Sequence, residues 1–292
     1  MRPGLPAGLP PLPEPLPGPV TDAHTHLVST QDFSGLDPAD ALAAAAQVGV
    51  TRVVEVGCDL ASSLEAIRLA ERFPEVIASV AIHPNDAARL GSRLGRELES
   101  LATLVGSSPR IRAVGETGLD YFRTREVDGQ QRQKLSFAAH LGWAAEHRLA
   151  VVIHDRDAHE DVLDLLDAEG VPERFMIHCF SGDAAFARRC LERGAFLSFP
   201  GTVTFKANQA LREAFDVTPA DRILVETDAP YLTPMPYRGK ANASYLMPHT
   251  VRFLAERRGM ELAEFCGLLH RNASVLFGDW GPESAAPEET RS

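Results

Sequence analysis

The sequence predicts an α/β fold in which eight parallel strands close into a TIM-type (β/α)8 barrel, with some distortion allowed. Three observations carry that prediction. Short apolar runs bounded by turn residues recur from Val20 to Phe277, and segments of helical periodicity separate most of them. The runs are nearly continuous in apolar residues, as in strands covered on both faces of a parallel sheet. The chain has 292 residues and 45% hydrophobic content, enough for one barrel core of about 250 residues. A seven-stranded open barrel is the alternative, because Arg93–Val105 is the least regular helical segment.

The elements follow in order. Residues 1–19 are rich in Pro, Gly and Leu and lack the apolar helix of a secretory signal, so they read as an extended or disordered leader. Val20–Ala23 is the first strand. Asp37 before Pro38 is a cap and first-turn pair that starts a helix over Pro38–Val48. Arg52–Cys58 is the second strand, and Leu64, Ile67, Leu69 and Ala70 give Ser62–Phe73 a helical period. The strands Ile77–Ile82 and Arg112–Gly115 come next, then a helix over Gln130–His147. Strands at Ala150–His154, Phe175–His178, Ala195–Phe199 and Ile223–Glu226 alternate with helices at Ala158–Glu169, Asp183–Arg193 and Ala207–Phe215. Helices Pro248–Arg258 and Leu262–Phe277 complete a single domain over residues 20–280, and 281–292 read as a flexible acidic tail.

The formal net charge of −11 argues against non-specific binding of duplex nucleic acid through a basic face. It leaves room for a nucleic-acid substrate at a metal site, because bound divalent ions reverse the local charge. No apolar run is long enough to span a membrane. The four cysteines, Cys58, Cys179, Cys190 and Cys266, form no CxxC pair and read as reduced thiols of a cytoplasmic protein.

The informative residues end the strand candidates, at the rim where such barrels carry their chemistry. His24 and His26 stand two apart, so on a strand they face the same way and can grip one cation. Glu116 ends the fourth strand between Gly115 and Gly118, which let the backbone bend close to a ligand. Its carboxylate either caps the following turn or bridges two cations. Asp120 has a supporting or turn role. His154 and His178 end neighbouring strands, and Asp228 follows the eighth strand, which adjoins the first in a closed barrel. Strand order therefore sorts the ligands. His24, His26 and Asp228 share one ion, His154 and His178 share another, and Glu116 lies between. Cys179 neighbours His178 and would face away from it on a regular strand.

The ordered set resembles the TatD-related deoxyribonucleases of the amidohydrolase superfamily. The resemblance runs through Asp22-x-His24-x-His26, Gly115-Glu116-x-Gly118-Leu119-Asp120-Tyr121, His154-x-Arg156-x-Ala158, His178-Cys179-Phe180-Ser181-Gly182 and Glu226-Thr227-Asp228-Ala229-Pro230-Tyr231-Leu232. Arg238-Gly239-Lys240 and Asn272-Ala273 extend it. It implies a TIM-type barrel, two divalent cations (Mg2+, Mn2+ or Zn2+) on His24, His26, Glu116, His154, His178 and Asp228, and hydrolysis of DNA phosphodiesters, often from the 3′ end. Two departures stand out. Ala243-Ser244 replaces the family's frequent Glu-Pro, and His83-Pro84-Asn85 replaces His-Pro-His, both expected near the substrate rim.

The expected activity is a 3′–5′ exodeoxyribonuclease that prefers single-stranded or frayed ends, with Asp228 and Glu116 as its catalytic carboxylates and Asp228 the general base. Arg156 is the first choice for stabilising charge at phosphorus, ahead of Arg238 and Lys206; a surface ion pair is the competing reading for each. His83 is either a phosphate contact or a core histidine. Tyr121, Phe180 and Tyr231 either stack on a base or pack the loops. A hydrolase of carboxylic esters or amides, such as an aminoacyl-tRNA deacylase, is the alternative, and a non-catalytic binding relative is the third possibility.

Overall fold

The computed structural model describes residues 5–278 and Trp280. Its eight strands, β1 (Val20–Thr25), β2 (Val50–Val56), β3 (Val76–Val80), β4 (Ile111–Asp120), β5 (Ala150–Arg156), β6 (Phe175–Ile177), β7 (Phe196–Phe199) and β8 (Ile223–Val225), pair in sequence order, and every ladder is parallel. The last strand meets the first through a side-chain seam. The Asp22 carboxylate accepts the Thr227 backbone N–H at 2.9 Å and the Thr227 hydroxyl at 2.6 Å, and Asp228 N–H donates to His24 O at 2.9 Å. Eight strands in one barrel replace the seven-stranded alternative.

Pleating decides what faces inward. Ala113, Val152, Met176, Phe196 and Leu224 belong to one buried cluster that also holds Phe277 and Trp280. Their strand neighbours Val114, Val151, Ile153, Ile177 and Leu197 belong to a separate cluster with the helices. The first cluster is the barrel interior. Its floor lies at the strand N-termini: Arg110, just before β4, donates to Trp280 O at 2.5 Å, and Arg174, just before β6, donates to Leu276 O at 3.1 Å.

The helices form the outer layer: α1 (Leu27–Ser34), α2 (Pro38–Gln47), α3 (Leu60–Arg72), α4 (Pro84–Leu90), α5 (Leu94–Ala102), α6 (Val127–His147), α7 (His159–Glu169), α8 (Ala184–Glu192), α9 (Gln209–Val217), α10 (Met247–Arg258) and α11 (Leu262–Phe277). Asp37 caps α2 as expected, accepting from Ala39 N–H, and Asp59 with Ser62 forms a reciprocal capping box on α3. The irregular segment before β4 does fold, as α5.

Two helices were not anticipated. The first, α1, has no cap of its own; Leu27 N–H donates at 2.7 Å to Glu55 on β2, 28 residues away. The other, α4, is capped by the ring of His83, whose Nδ1 accepts from Asn85 N–H at 3.0 Å.

The fourth strand is also longer than expected and runs through Glu116, with its pairing to β5 shifted between Val114 and Thr117. Gly115 and Gly118 serve that close approach to β5. Both have positive φ, and a Cβ would fall 2.4 Å from Val152 O and 2.1 Å from His154 O, respectively.

From residue 5 onward the leader is an extended strap on the outer face. Leu16 is buried and its N–H donates to Val48 O at 3.0 Å, the buried Tyr245 hydroxyl donates to Pro10 O at 2.7 Å, and Arg252 holds Glu14 O and Pro15 O. The predicted tail, 281–292, lies outside the described residues.

Candidate metal centre

Inward parity continues one step above the floor. Two residues beyond Val152 is His154, two beyond Met176 is His178, and two beyond Leu224 is Glu226. At that height the interior changes from apolar to charged, and the loops open into a cavity of about 740 Å³ lined in part by His26, Glu116, His154, His178 and Asp228.

Two groups of donors meet there. In the first, His24 Nε2 lies 3.2 Å from His26 Nε2, and Asp228 Oδ1 is 3.7 Å from the former and 3.5 Å from the latter. In the second, Glu116 Oε1 lies 2.6 Å from His154 Nδ1 and 2.8 Å from His178 Nε2. Glu116 joins them, because its other oxygen, Oε2, is 3.5 Å from His24 Nε2. His24 also stacks on His178 with ring centroids 3.9 Å apart. All six ligand positions expected from the sequence therefore face one another.

The far nitrogens show that the rings are oriented for lone-pair donation inward. His26 Nδ1 lies 2.9 Å from Val56 O, which only accepts, so Nδ1 carries a proton and Nε2 is the nitrogen turned to the cavity, where a metal would displace its proton. His178 Nδ1 sits 3.3 Å from Glu226 Oε1, and His154 Nε2 sits 3.3 Å from Asp120 Oδ2. A carboxylate behind an imidazole raises its basicity and fixes its ring, the arrangement that supports metal-ligating histidines. Those two carboxylate contacts are ion-pair approaches rather than aligned hydrogen bonds, and His24 Nδ1 too is buried without a hydrogen-bond partner among the described residues. Donors from His24, His26 and Asp228 all lie within 4.8 Å of one another, and so do those of His83, Glu116 and His154. His83 does not complete a ligand set, because its Nδ1 accepts from Asn85 and a neutral ring then carries its proton on Nε2, 3.3 Å from Glu116.

The electrostatics favour added positive charge. Burial pushes Glu116 up, but His178, His83 and His154 hold it well below the usual carboxylate range. Burial pushes His178 down, but Glu116 and Glu226 carry it well above the usual imidazole range. Burial likewise opposes His26, which Asp228 nevertheless raises to about 9. Carboxylates in this cluster are stable only beside a cation, whether a proton or a metal.

Among the expected substrate contacts, Arg156, His83, Phe180 and Tyr231 line the cavity. Tyr231 is 55% exposed, whereas Phe180 is buried and stacked on Phe186 at 5.6 Å, so it offers little face to a ligand. Tyr121 and Arg238 are not among the residues around the cavity. The Tyr121 hydroxyl is committed to Asp161 at 2.6 Å, and Arg238 lies over the Phe205 ring at 4.6 Å. Lys206 is exposed and also outside the lining. Cys179 lines the cavity beside His178 because β6 stops at Ile177 and Cys179 takes a left-handed backbone, φ 45°.

The segment that lacks Glu-Pro is buried away from the cavity, where Asn242 Nδ2 holds Thr227 O at 2.9 Å and Tyr231 O at 2.6 Å. Asn85 does line the cavity, and it holds Asp120 Oδ2 at 3.0 Å. Glu226 behind His178 is a site residue that the sequence motifs alone do not single out, although its parity with Leu224 aims it inward.

Comparison with known proteins gives the family and the fold. A profile of the family described as TatD related DNase matches residues 21–278. The chain is 45% identical over 266 residues to an uncharacterized metal-dependent hydrolase TatD of Mycobacterium tuberculosis, covering 89% of this chain and 98% of that protein. It is 34% identical over 265 residues to a 3′-5′ ssDNA/RNA exonuclease TatD of Citrobacter rodentium, covering 88% and 97%. The crystal structure of YJJV, a TatD homologue from Escherichia coli, superposes with a TM-score of 0.82 at 27% identity, covering 89% of this chain and 98% of the other.

Proposed function

Because the chain belongs to the TatD-related DNase family, we propose that it is a hydrolase that uses two divalent cations (Mg2+, Mn2+ or Zn2+) to cut phosphodiester bonds of DNA from the 3′ end of single-stranded or frayed strands. The observation that carries this reading is the divided carboxylate of Glu116: Oε2 faces His24, and Oε1 faces His154 and His178. One carboxylate between two donor groups is what a pair of cations requires. His24, His26 and Asp228 would hold one ion, His154 and His178 the other, and Glu116 both. The 3′ polarity rests on relatives named 3′-5′ ssDNA/RNA exonucleases. A cytoplasmic setting is supported by the four free cysteines.

The cations, when bound, make a water nucleophilic near neutral pH and offset charge at phosphorus. The remaining work falls to the chain. Asp228 reaches into the cavity and accepts the proton of the attacking water. Its unusual φ of 52° is held by the Asp228 N–H bond to His24 O at 2.9 Å. Arg156 lines the same cavity and stays directed by stacking on Phe122 at 3.9 Å, ready to pair with a phosphate oxygen. His83 presents Nε2–H beside Glu116 and donates to the same phosphate. Tyr231, exposed at the mouth, offers a face to a base.

A 3′-labelled single-stranded oligonucleotide tests the reading. Metal-loaded protein should release labelled mononucleotides, EDTA should stop release, and one of Mg2+, Mn2+ or Zn2+ should restore it. Activity that survives EDTA, or hydrolysis of lactones or aminoacyl esters in place of the oligonucleotide, would overturn it.

A further inference from the structure

Beside the main cavity lies a smaller groove of about 320 Å³, lined by Arg89, Arg123 and Arg132 together with Asn85, Glu126 and Gly129. Asn85 and Arg123 line both spaces, so the groove is a side arm of the cavity. Three guanidinium groups gather here in a chain of net charge −11. Their positions differ in commitment. Arg89 pairs with Asp86 at 3.2 Å. Arg132 anchors itself through Nε, which donates to Ala88 O at 2.9 Å and leaves the fork of its two terminal nitrogens free to point. Arg123 is exposed, and its side chain has no hydrogen bond or ion pair among the described residues. Among the described residues Glu126 is the one acid lining the groove, and it gives α6 no side-chain cap. Gly129 keeps the floor low, because a Cβ there would lie 2.6 Å from Thr124 Cγ2.

We infer that this groove binds a non-scissile backbone phosphate of the nucleic-acid strand whose end enters the cavity, with Arg123 and Arg132 as its principal holders. The inference rests on the nuclease reading and adds to it a path for the strand. A planar fork of N–H donors fixed at its base suits a phosphate diester, which offers two anionic oxygens. Arg123, shared by both spaces, spans the join between the reacting phosphate and the next one held. Such a contact positions the strand and makes binding salt-dependent without reading base identity. A mononucleotide has no second phosphate and gains nothing from it.

The test is binding of a fluorescein-labelled hexathymidylate with cleavage-resistant phosphorothioate linkages to the Mg2+-loaded protein over a range of salt, beside thymidine monophosphate as the short reference. Arg123→Ala and Arg132→Ala should each weaken hexamer binding about fivefold and reduce the slope of log affinity against log salt by about 0.7, the value for one phosphate contact on a single strand. The preference for hexamer over mononucleotide should fall with it, and Arg132→Lys should restore most of the slope. Arg123→Ala removes no bonded group, so it keeps the test valid if Arg132→Ala fails to fold. An unchanged slope in Arg123→Ala, or a wild-type protein that binds the hexamer no more tightly than the mononucleotide, overturns the inference. If the slopes change but no phosphodiester is cut, the nuclease reading falls and the groove stands.

Discussion

Met176 and His178 face the same barrel interior from the same chain segment, two residues apart, yet they live in opposite environments. The floor around Met176 is apolar: Val152, Phe196, Leu224 and Phe277 surround it. The rim around His178 holds the carboxylates of Glu116 and Glu226 and the imidazoles of His24 and His154. The same step separates Val152 from His154 and Leu224 from Glu226. Pleat parity decides that a side chain points inward, and height along the strand decides what it does there. Burial of the floor stabilises the barrel at about 25 cal/mol per Å² of apolar surface. The rim contributes little of that kind and requires mutual compensation of its charges.

Substitutions can break or sharpen this contrast. At the rim, Asp228→Asn keeps the size and removes the charge and the base; kcat/KM on an oligonucleotide should fall by about 10⁴-fold or more, close to 5 kcal/mol of transition-state stabilisation, in a protein that still folds. At the floor, Phe277→Ala should cost about 3–5 kcal/mol of stability in denaturant unfolding and leave the kcat of the folded fraction in place. A large kcat loss in the floor variant would erase the division of labour.

A third expectation concerns a buried polar group outside both zones. Burial holds the His140 ring down at about 4, and the ring accepts Ile82 N–H at Nε2 while Nδ1 faces Ser136 O. The unfolded ring titrates near 6.5, so between pH 6.5 and 4 the unfolded chain takes up a proton that the folded chain refuses. The stability tied to this group is therefore complete above pH 6.5 and lost as pH falls through 4, up to about 3 kcal/mol. Unfolding of His140→Asn against wild type at pH 7 and pH 4.5 checks it: the gap between the two proteins should shrink at the lower pH.

The smallest effect belongs behind the ligands. Glu226→Gln keeps a hydrogen-bonding group near His178 but removes the charge; metal titration should show affinity weakened by about 10- to 100-fold, with turnover recovered at saturating metal.

Much of this architecture was legible before the structure. Continuous apolar runs marked the strands, and the histidines and acids that follow them marked the rim, because in such barrels chemistry sits at strand C-termini. What stayed illegible depended on partners far along the chain. The cap of α1 comes from Glu55, and that of α4 from an imidazole, so neither helix carries a local start signal. Glu116 lies inside β4 rather than at its end, because two glycines let that strand continue against β5 where a turn was expected. The Tyr121 hydroxyl is held by Asp161, 40 residues away, a partner no local pattern announces. The leader's composition allowed disorder, and the buried Leu16 with the hydroxyl of Tyr245 ties it down instead.

The floor has a further consequence. With Phe277 and Trp280 filling the barrel from beneath, the well is closed at its floor among the described residues, and His154 and His178 are reached from the loop side. On the proposed nuclease reading, a strand presents its tip there and is not threaded through, and each released fragment backs out past the next arrival.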